Sequence, residues 1–367
     1  MDHRVALVTG PQGLSGGAVF ERLSSSPDWT VLGCSRRPDA LPADQIVAVD
    51  LLDRAGTTAA LAQREDITHL FFGAYAARAG DLAAEADANA AILVNTLDAL
   101  RSAGAKLQHV VLYHGGKAYG AHLGPFRTPA KENAPRIGGP LLYHDQEDIV
   151  RERGQVDRFG WTVFRPDWVG GATTGSPINL VLGTAIYAVL CRDLGLPLRY
   201  PGSLAQGASL IQSTDARIIG AASEWACDAP EARDEIFNLT NGDAYRWQCM
   251  WGEVAAMFGL EVAEGGPSLT DFMAQHAERW AALTAEHGLL ALDPLRVIDW
   301  PTIDFAFTCG FDMLTSTVKI RRAGFADCID SRDMFADQLA ELARRGVIPG
   351  DRLPGIAEPA SSVGELA

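Results

Sequence analysis

With 367 residues, a formal charge of −15 and an isoelectric point near 4.9, the chain is long enough to bury a large core and too acidic to attract phosphate backbones or anionic lipid. Nucleic acid and membrane surfaces are therefore not expected partners, and the length fits one large α/β domain, with or without a cap. The apolar stretch Ile178–Cys191 is too short to span a bilayer and is interrupted by Gly183.

Met1 is followed by Asp2, His3 and Arg4 and not by an apolar leader, so a cytoplasmic protein is expected. Six scattered cysteines without a CxxC pair read as reduced core thiols, with no disulfide framework and no metal site.

Hydrophobic periodicity predicts a strand at 5–9, a helix at 16–25 and a strand at 30–34, the opening of a parallel sheet. Further strands are predicted at 46–49, 69–73, 110–113 and 161–164, with helices at 55–63, 83–102 and 143–153 between them. The pattern is that of a Rossmann-type, doubly wound parallel sheet. After Pro166 the texture changes. Gly170-Gly171 and Thr173–Pro177 mark a long loop before an apolar helix at 178–194, and 268–287 reads as a polar-faced helix of a smaller, mostly helical cap. The expected division is 1–170 for the nucleotide-binding core, 171–349 for a substrate-binding region with returning core elements, and 350–367 for a mobile tail rich in Pro, Gly, Ser and Glu.

Gly10-Pro11-Gln12-Gly13-Leu14-Ser15-Gly16 is a GxxGxxG sequence placed where the first strand must turn into the first helix. Glycines there permit the tight turn and let the backbone approach a pyrophosphate, which the helix amino end then binds. About 20 residues on, where an NAD enzyme places an acid on the ribose 2′-hydroxyl, this chain reads Ser35-Arg36-Arg37. Guanidinium forks suit a 2′-phosphate, so NADPH is the expected cofactor. Thr9, Gln12, Leu14, Asp50, Leu51, Pro166 and Val169 complete the expected cofactor-binding set. Asp50, closing the third strand, reads as an adenine partner or as a turn-initiating Asp.

Reductases of the short-chain type need a phenol to hold the substrate oxygen and a lysine to bind ribose and lower the phenol's pKa. The literal Tyr-x-x-x-Lys spacing is Tyr113 to Lys117, but Val110-Val111-Leu112 followed by Gly115-Gly116 reads as strand running into loop. Four steps along a strand separate side chains by about 13 Å, against about 5–6 Å on a helix. That match reads as a decoy. Tyr143 opens a helical stretch instead, with Glu147 in the fourth-on position, and Lys117 from the preceding strand end is the candidate cation. His114 and His144 flank the pair, as proton shuttles or as structural groups. Tyr75, Tyr119, Phe126, Trp168 and Trp300 are candidate pocket residues, while Trp247 and Trp251, four apart on a predicted helix, read as packing.

These residues resemble the progesterone 5β-reductase and iridoid synthase family of atypical short-chain dehydrogenases, in which the lysine has left the tyrosine's helix for the strand-end loop. The resemblance runs in order through Val8-Thr9-Gly10, Cys34–Arg37, Asp50, Thr68–Phe71, Gly115–Tyr119, Tyr143 with Glu147-Asp148, Arg165-Pro166 and Asn241–Trp247 continuing to Trp251. It implies an extended short-chain dehydrogenase fold, NADPH, a homodimer, and reduction of the carbon–carbon double bond of enones, with Tyr143 and Lys117 catalytic. A 1,2-reduction of ketones or aldehydes by the same pair, and a non-enzymatic NADP sensor, are the alternatives. Departures around Gly116–Tyr119, in the long segment from Lys117 to Phe126 and around Trp300-Pro301 mean that steroid or iridoid specificity is not implied.

Overall fold

The computed structural model describes residues 3–37, 41–78, 80–203 and 205–356. It contains two compact units, the first formed by Met1–Val169, Gln212–Asp243 and Phe311–Ile329, the second by Gly170–Ile211, Ala244–Gly310 and Asp330–Ala367.

The first unit is built on strands β1 (Arg4–Thr9), β2 (Trp29–Ser35), β3 (Ile46–Ala48), β4 (His69–Phe72), β5 (His109–Tyr113) and β6 (Gly160–Pro166). They lie in the order β6-β5-β4-β1-β2-β3, and a seventh strand, Glu235–Leu239, adds beyond β6. Every pairing in this sheet is parallel. The order reverses at β1, so a crevice opens at the carboxyl ends of β1 and β4, where such sheets bind nucleotides.

Both faces of the sheet are covered, which is why its strands read as nearly continuous apolar runs. Val5, Leu7, Leu70, Leu112 and Val163 face one core, with Leu93 and Leu97 of the helix Leu82–Ser102. Ala6, Val8, Phe71, Val111 and Phe164 face the other, with Ile218 and Ile219 of the helix Ala216–Asp228. The first unit's earlier helices are α1 (Leu14–Ser24), α2 (Arg54–Leu61), α3 (Leu82–Ser102) and α4 (Leu142–Asp157). Asp53 and Asp81 start α2 and α3 by accepting hydrogen bonds from Gly56 N and Ala84 N, each cap worth about 1 kcal/mol.

The second unit is mostly helical, with one short parallel pair, Leu198–Pro201 beside Val262–Gly266. Trp247 and Trp251 of the helix Trp247–Met257 are fully buried, and their indole N–H groups donate to Ala306 O and Leu198 O at 3.0 and 3.1 Å. Their four-residue spacing serves packing: both rings lie edge-on or tilted against Phe307. No helix among the described residues is long and apolar enough to cross a membrane.

Two expectations need correction. The tail was expected to be mobile from Gly350, yet Gly350–Arg352 forms a helical turn, Leu353 is buried and Gly355 N donates to Met257 O at 3.1 Å. Packing of one leucine and one backbone donor outweighs the polar composition; residues 357–367 lie outside the described residues. Of the cysteines, Cys34 and Cys191 are buried, but Cys249 and Cys328 are exposed and so are not core thiols.

Candidate active site

At the crevice, β1 ends in Thr9, whose buried hydroxyl accepts from Ala74 N at 3.0 Å and ties the β4 loop to the turn. Gly10 takes a φ of +67°, and a methyl group on it would stand 2.6 Å from Gly73 O; one on Gly16 would overlap Gly10 O. Both positions therefore need glycine, one for backbone sign and close approach, the other for helix-on-strand packing. Gly13 caps α1 without offering a side-chain acceptor, leaving first-turn N–H groups directed at the crevice. Leu14 is buried behind them.

Ser35 Oγ donates to Gln12 Oε1 at 2.8 Å and accepts from Arg37 N at 3.1 Å, which orders the end of β2. Arg36 and Arg37 are exposed, and neither guanidinium has a hydrogen bond or ion pair among the described residues. Asp50 is exposed and its Oδ1 accepts from Leu52 N at 3.1 Å, the turn-initiating role; Leu51 is buried in the apolar core. A glycine cradle and an uncapped helix start fit the pyrophosphate of a dinucleotide, with two guanidinium groups unpaired among the described residues at the end of β2.

The two tyrosines near Lys117 part company. Tyr113 ends β5 with its hydroxyl 2.8 Å from Ser223 Oγ, inside the core under the helix Ala216–Asp228. Its four-residue spacing to Lys117 is a coincidence of strand and loop. Lys117 sits in the single helical turn Gly116–Tyr119, half-buried, with no hydrogen bond or ion pair among the described residues.

Tyr143 is the second residue of α4, and its ring stacks on His114 with centroids 4.3 Å apart and planes 15° from parallel. Its hydroxyl lies 3.4 Å from where a methyl group on Gly115 would stand, two residues before Lys117. That hydroxyl also has no hydrogen-bond partner among the described residues. Burial pushes the phenol above its usual range; Glu85 and Asp167 add to the rise and Arg165 opposes it.

A buried charge cluster holds α4 in place. Glu147, one turn after Tyr143 and 2% exposed, pairs with Arg165 Nη2 of β6 at 2.6 Å and Arg136 Nη2 at 3.1 Å. Its Oε1 also lies 3.5 Å from His114 Nδ1, while His114 Nε2 is 3.2 Å from Gln146 Oε1. Burial alone would raise the Glu147 pKa, but His114 and Arg165 together hold it well below the usual carboxylate range. Burial lowers the His114 pKa against the pull of Glu147. Arg165 and Arg136 are the permanent charges paired with Glu147. The position that would carry lysine in a Tyr-x-x-x-Lys helix is occupied by a structural anchor. His144, beside Tyr143, is half-buried, and its Nε2 has no hydrogen-bond partner among the described residues.

The expected pocket residues divide. Tyr75 is exposed and donates to Glu85 Oε2 at 2.6 Å. Tyr119 is buried; its hydroxyl is bound to Asn238 Oδ1, its ring carries Arg165 at 5.0 Å and stacks on Phe126 at 6.4 Å. Trp168, half-buried with φ +35°, follows Pro166 and Asp167 and precedes Val169 at the end of β6. Trp300 belongs to the second unit and is buried in that unit's own core, its indole N–H donating to Pro294 O at 2.9 Å, so its side chain is not an exposed pocket wall. Sequence reasoning missed Arg165 as an anchor and Asp167 altogether. The one signal was a charged residue closing an apolar strand.

A family model described as a PRISE-like Rossmann-fold domain matches residues 41–305. The chain is 29% identical to the (S)-8-oxocitronellyl enol synthase of Catharanthus roseus, over 94% of this chain and 92% of that one. It is also 29% identical to the 3-oxo-Delta(4,5)-steroid 5-beta-reductase of Arabidopsis thaliana, over 94% and 93% of the two chains. Among solved structures, a UDP-glucose 4-epimerase from Thermotoga maritima superimposes with a TM-score of 0.66 over 93% of this chain and 99% of its own, at 14% identity, a likeness of fold alone.

Proposed function

The chain belongs to the family of PRISE-like Rossmann-fold domains, and from that membership we propose that it is an NADPH-dependent reductase of the carbon–carbon double bond in enones and related conjugated carbonyl compounds. The observation that carries this reading is the Tyr143 hydroxyl, without a hydrogen-bond partner among the described residues and set against the glycine loop that leads into Lys117. The names of the two plant relatives, an enol synthase and a steroid 5-beta-reductase, favour a conjugated carbonyl over an isolated one. Arg36 and Arg37 favour the phosphorylated cofactor.

When bound, NADPH supplies a hydride to the β-carbon of the substrate. The carbonyl oxygen then gains negative charge as the enolate forms, and Tyr143 Oη donates a hydrogen bond into it. A phenol whose pKa is held high keeps its proton through this step and acts as a donor, not as a base. Lys117 orients the ribose, and its charge favours the polarised phenol against Glu85 and Asp167. One proton from solvent, added at the α-carbon, completes a two-electron reduction.

The test is product analysis of the purified chain with NADPH and a simple cyclic enone. The saturated ketone is the expected product, and Tyr143→Phe lowers turnover roughly 100-fold or more, the usual cost of one oxyanion donor. Formation of the allylic alcohol, or reduction of saturated ketones alone, refutes double-bond reduction in favour of 1,2-reduction by the same pair.

A further inference from the structure

Asp167 is the strongest unexplained group near the site. It follows Pro166 at the carboxyl end of β6, is 6% exposed, and has one carboxylate oxygen, Oδ2, with no hydrogen-bond partner among the described residues. Its Oδ1 accepts only from the backbone N–H of Trp168, at 3.1 Å. The backbone is pinned on both sides by one hydroxyl: Asp167 N donates to Thr214 Oγ1 at 3.0 Å and Thr214 Oγ1 donates to Asp167 O at 2.8 Å. The carboxyl group is thus held firmly in a place that does not satisfy it, a cost a fold does not sustain without compensation elsewhere.

What it faces is the catalytic loop. A methyl group on Gly116 would stand 3.3 Å from Asp167 Oδ1, as one on Gly115 would stand 3.4 Å from Tyr143 Oη. The carboxyl and the phenol therefore flank consecutive glycines, with no side chain on either glycine between them.

The ionisable neighbours come from every element around the site. Lys117 is on the loop itself, His114 just after β5 is stacked on Tyr143, Glu85 on α3 binds Tyr75, and Arg165 on β6 is committed to Glu147 on α4. Among the described residues no ion pair compensates Asp167, and burial pushes its pKa up to about 7.

We propose that Asp167 is a positioning residue for the Tyr143 donor: protonated, it leaves the phenol able to bind an oxyanion, and ionised, it suppresses that binding by placing a second negative charge across the two glycines. This rests on the proposed role of Tyr143 as an oxyanion donor but not on which bond is reduced. Binding at the site consequently weakens as pH rises through neutrality. Like-charge coupling of about one pKa unit corresponds to about tenfold in affinity.

The probe is 2,4-dinitrophenolate, an oxyanion mimic that stays ionised across the range, titrated into the full chain with saturating NADP⁺ and read by its absorbance, so no turnover is required. In the wild type its affinity is expected to fall about tenfold between about pH 6 and about pH 8.5. In Asp167→Asn, a neutral isostere, the affinity is expected to be independent of pH and near the wild-type low-pH value, and Tyr143→Phe is expected to lose binding at both pH values. Infrared spectra of the wild type supply a second measurement that needs no working variant: a protonated-carboxyl band present at the lower pH, lost at the higher and missing from Asp167→Asn. A pH-independent wild-type affinity, an unchanged slope in Asp167→Asn, or the absence of that band at low pH overturns the proposal. Reduction of saturated ketones in place of enones would sink the enone reading and leave this one standing.

Discussion

Replacing Glu147 by glutamine removes one charge from the cluster behind Tyr143 without changing its volume. Arg165, 5% exposed, then keeps the face of the Tyr119 ring but loses its counter-charge at 2.6 Å. Breaking a buried pair from one side costs about 3–5 kcal/mol, because the remaining ion stays desolvated. Arg136 is the internal control. Its side chain is 41% exposed and it also binds Asp148 through two hydrogen bonds at 2.8 and 2.7 Å, so Arg136→Met is expected to cost no more than about 1 kcal/mol.

At roughly 2–4 °C per kcal/mol for a unit of this size, Glu147→Gln lowers the melting temperature by roughly 6–20 °C and Arg136→Met by under about 4 °C. The assay is thermal unfolding followed by far-ultraviolet circular dichroism, with the double variant Glu147→Leu/Arg165→Met regaining most of the loss because it leaves no orphaned ion. Equal, small shifts for Glu147→Gln and Arg136→Met would refute the anchoring role.

Acid sensitivity follows from His69 and His109, register partners on β4 and β5 that burial holds at about 4 and about 3. An unfolded histidine binds its proton near 6.5, so stability is complete above that pH and is lost as pH falls toward the folded values, by ~3 kcal/mol for His69. Urea midpoints at pH 7 and about 4.5 measure this, and His69→Phe should shrink the difference to the share that His109 contributes. Gly16→Ala drives a methyl group into Gly10 O and should cost about 1–3 kcal/mol and disrupt dinucleotide binding; a variant of wild-type stability and affinity would contradict the packing argument. Arg36→Asp should reduce the preference for NADPH over NADH by about ten- to a hundredfold, given about 1.5–3 kcal/mol for a charge-assisted hydrogen bond; an unchanged ratio of dissociation constants counts against it.

Strands β1 to β6 were legible within a residue or two because a sheet buried on both faces writes continuous apolar runs between amphipathic helices. The strand Glu235–Leu239 was not, since five residues with a charge at one end and Asn238 near the other carry too little periodicity. Tyr143 and Lys117 were reachable by asking which tyrosine opens a helix and which lysine ends a strand. Glu147 was visible only as a missing lysine, because its meaning lies in Arg165 eighteen residues away, and pairing across a sheet edge leaves no mark on spacing. Asp167 was hidden for the same reason: its significance is the lack of a partner, a property of three-dimensional surroundings. Composition misled at residues 350–356, where an average over the whole tail concealed one buried leucine.

A crystal structure with NADP⁺ bound tests the central claim most directly, through the positions of Tyr143 Oη and Lys117 Nζ. Both are predicted within hydrogen-bonding reach of the nicotinamide ribose, with the Tyr143 hydroxyl open toward the substrate side of the ring. A structure in which Lys117 points to solvent, or in which Tyr143 is separated from the nicotinamide by core side chains, would contradict the account.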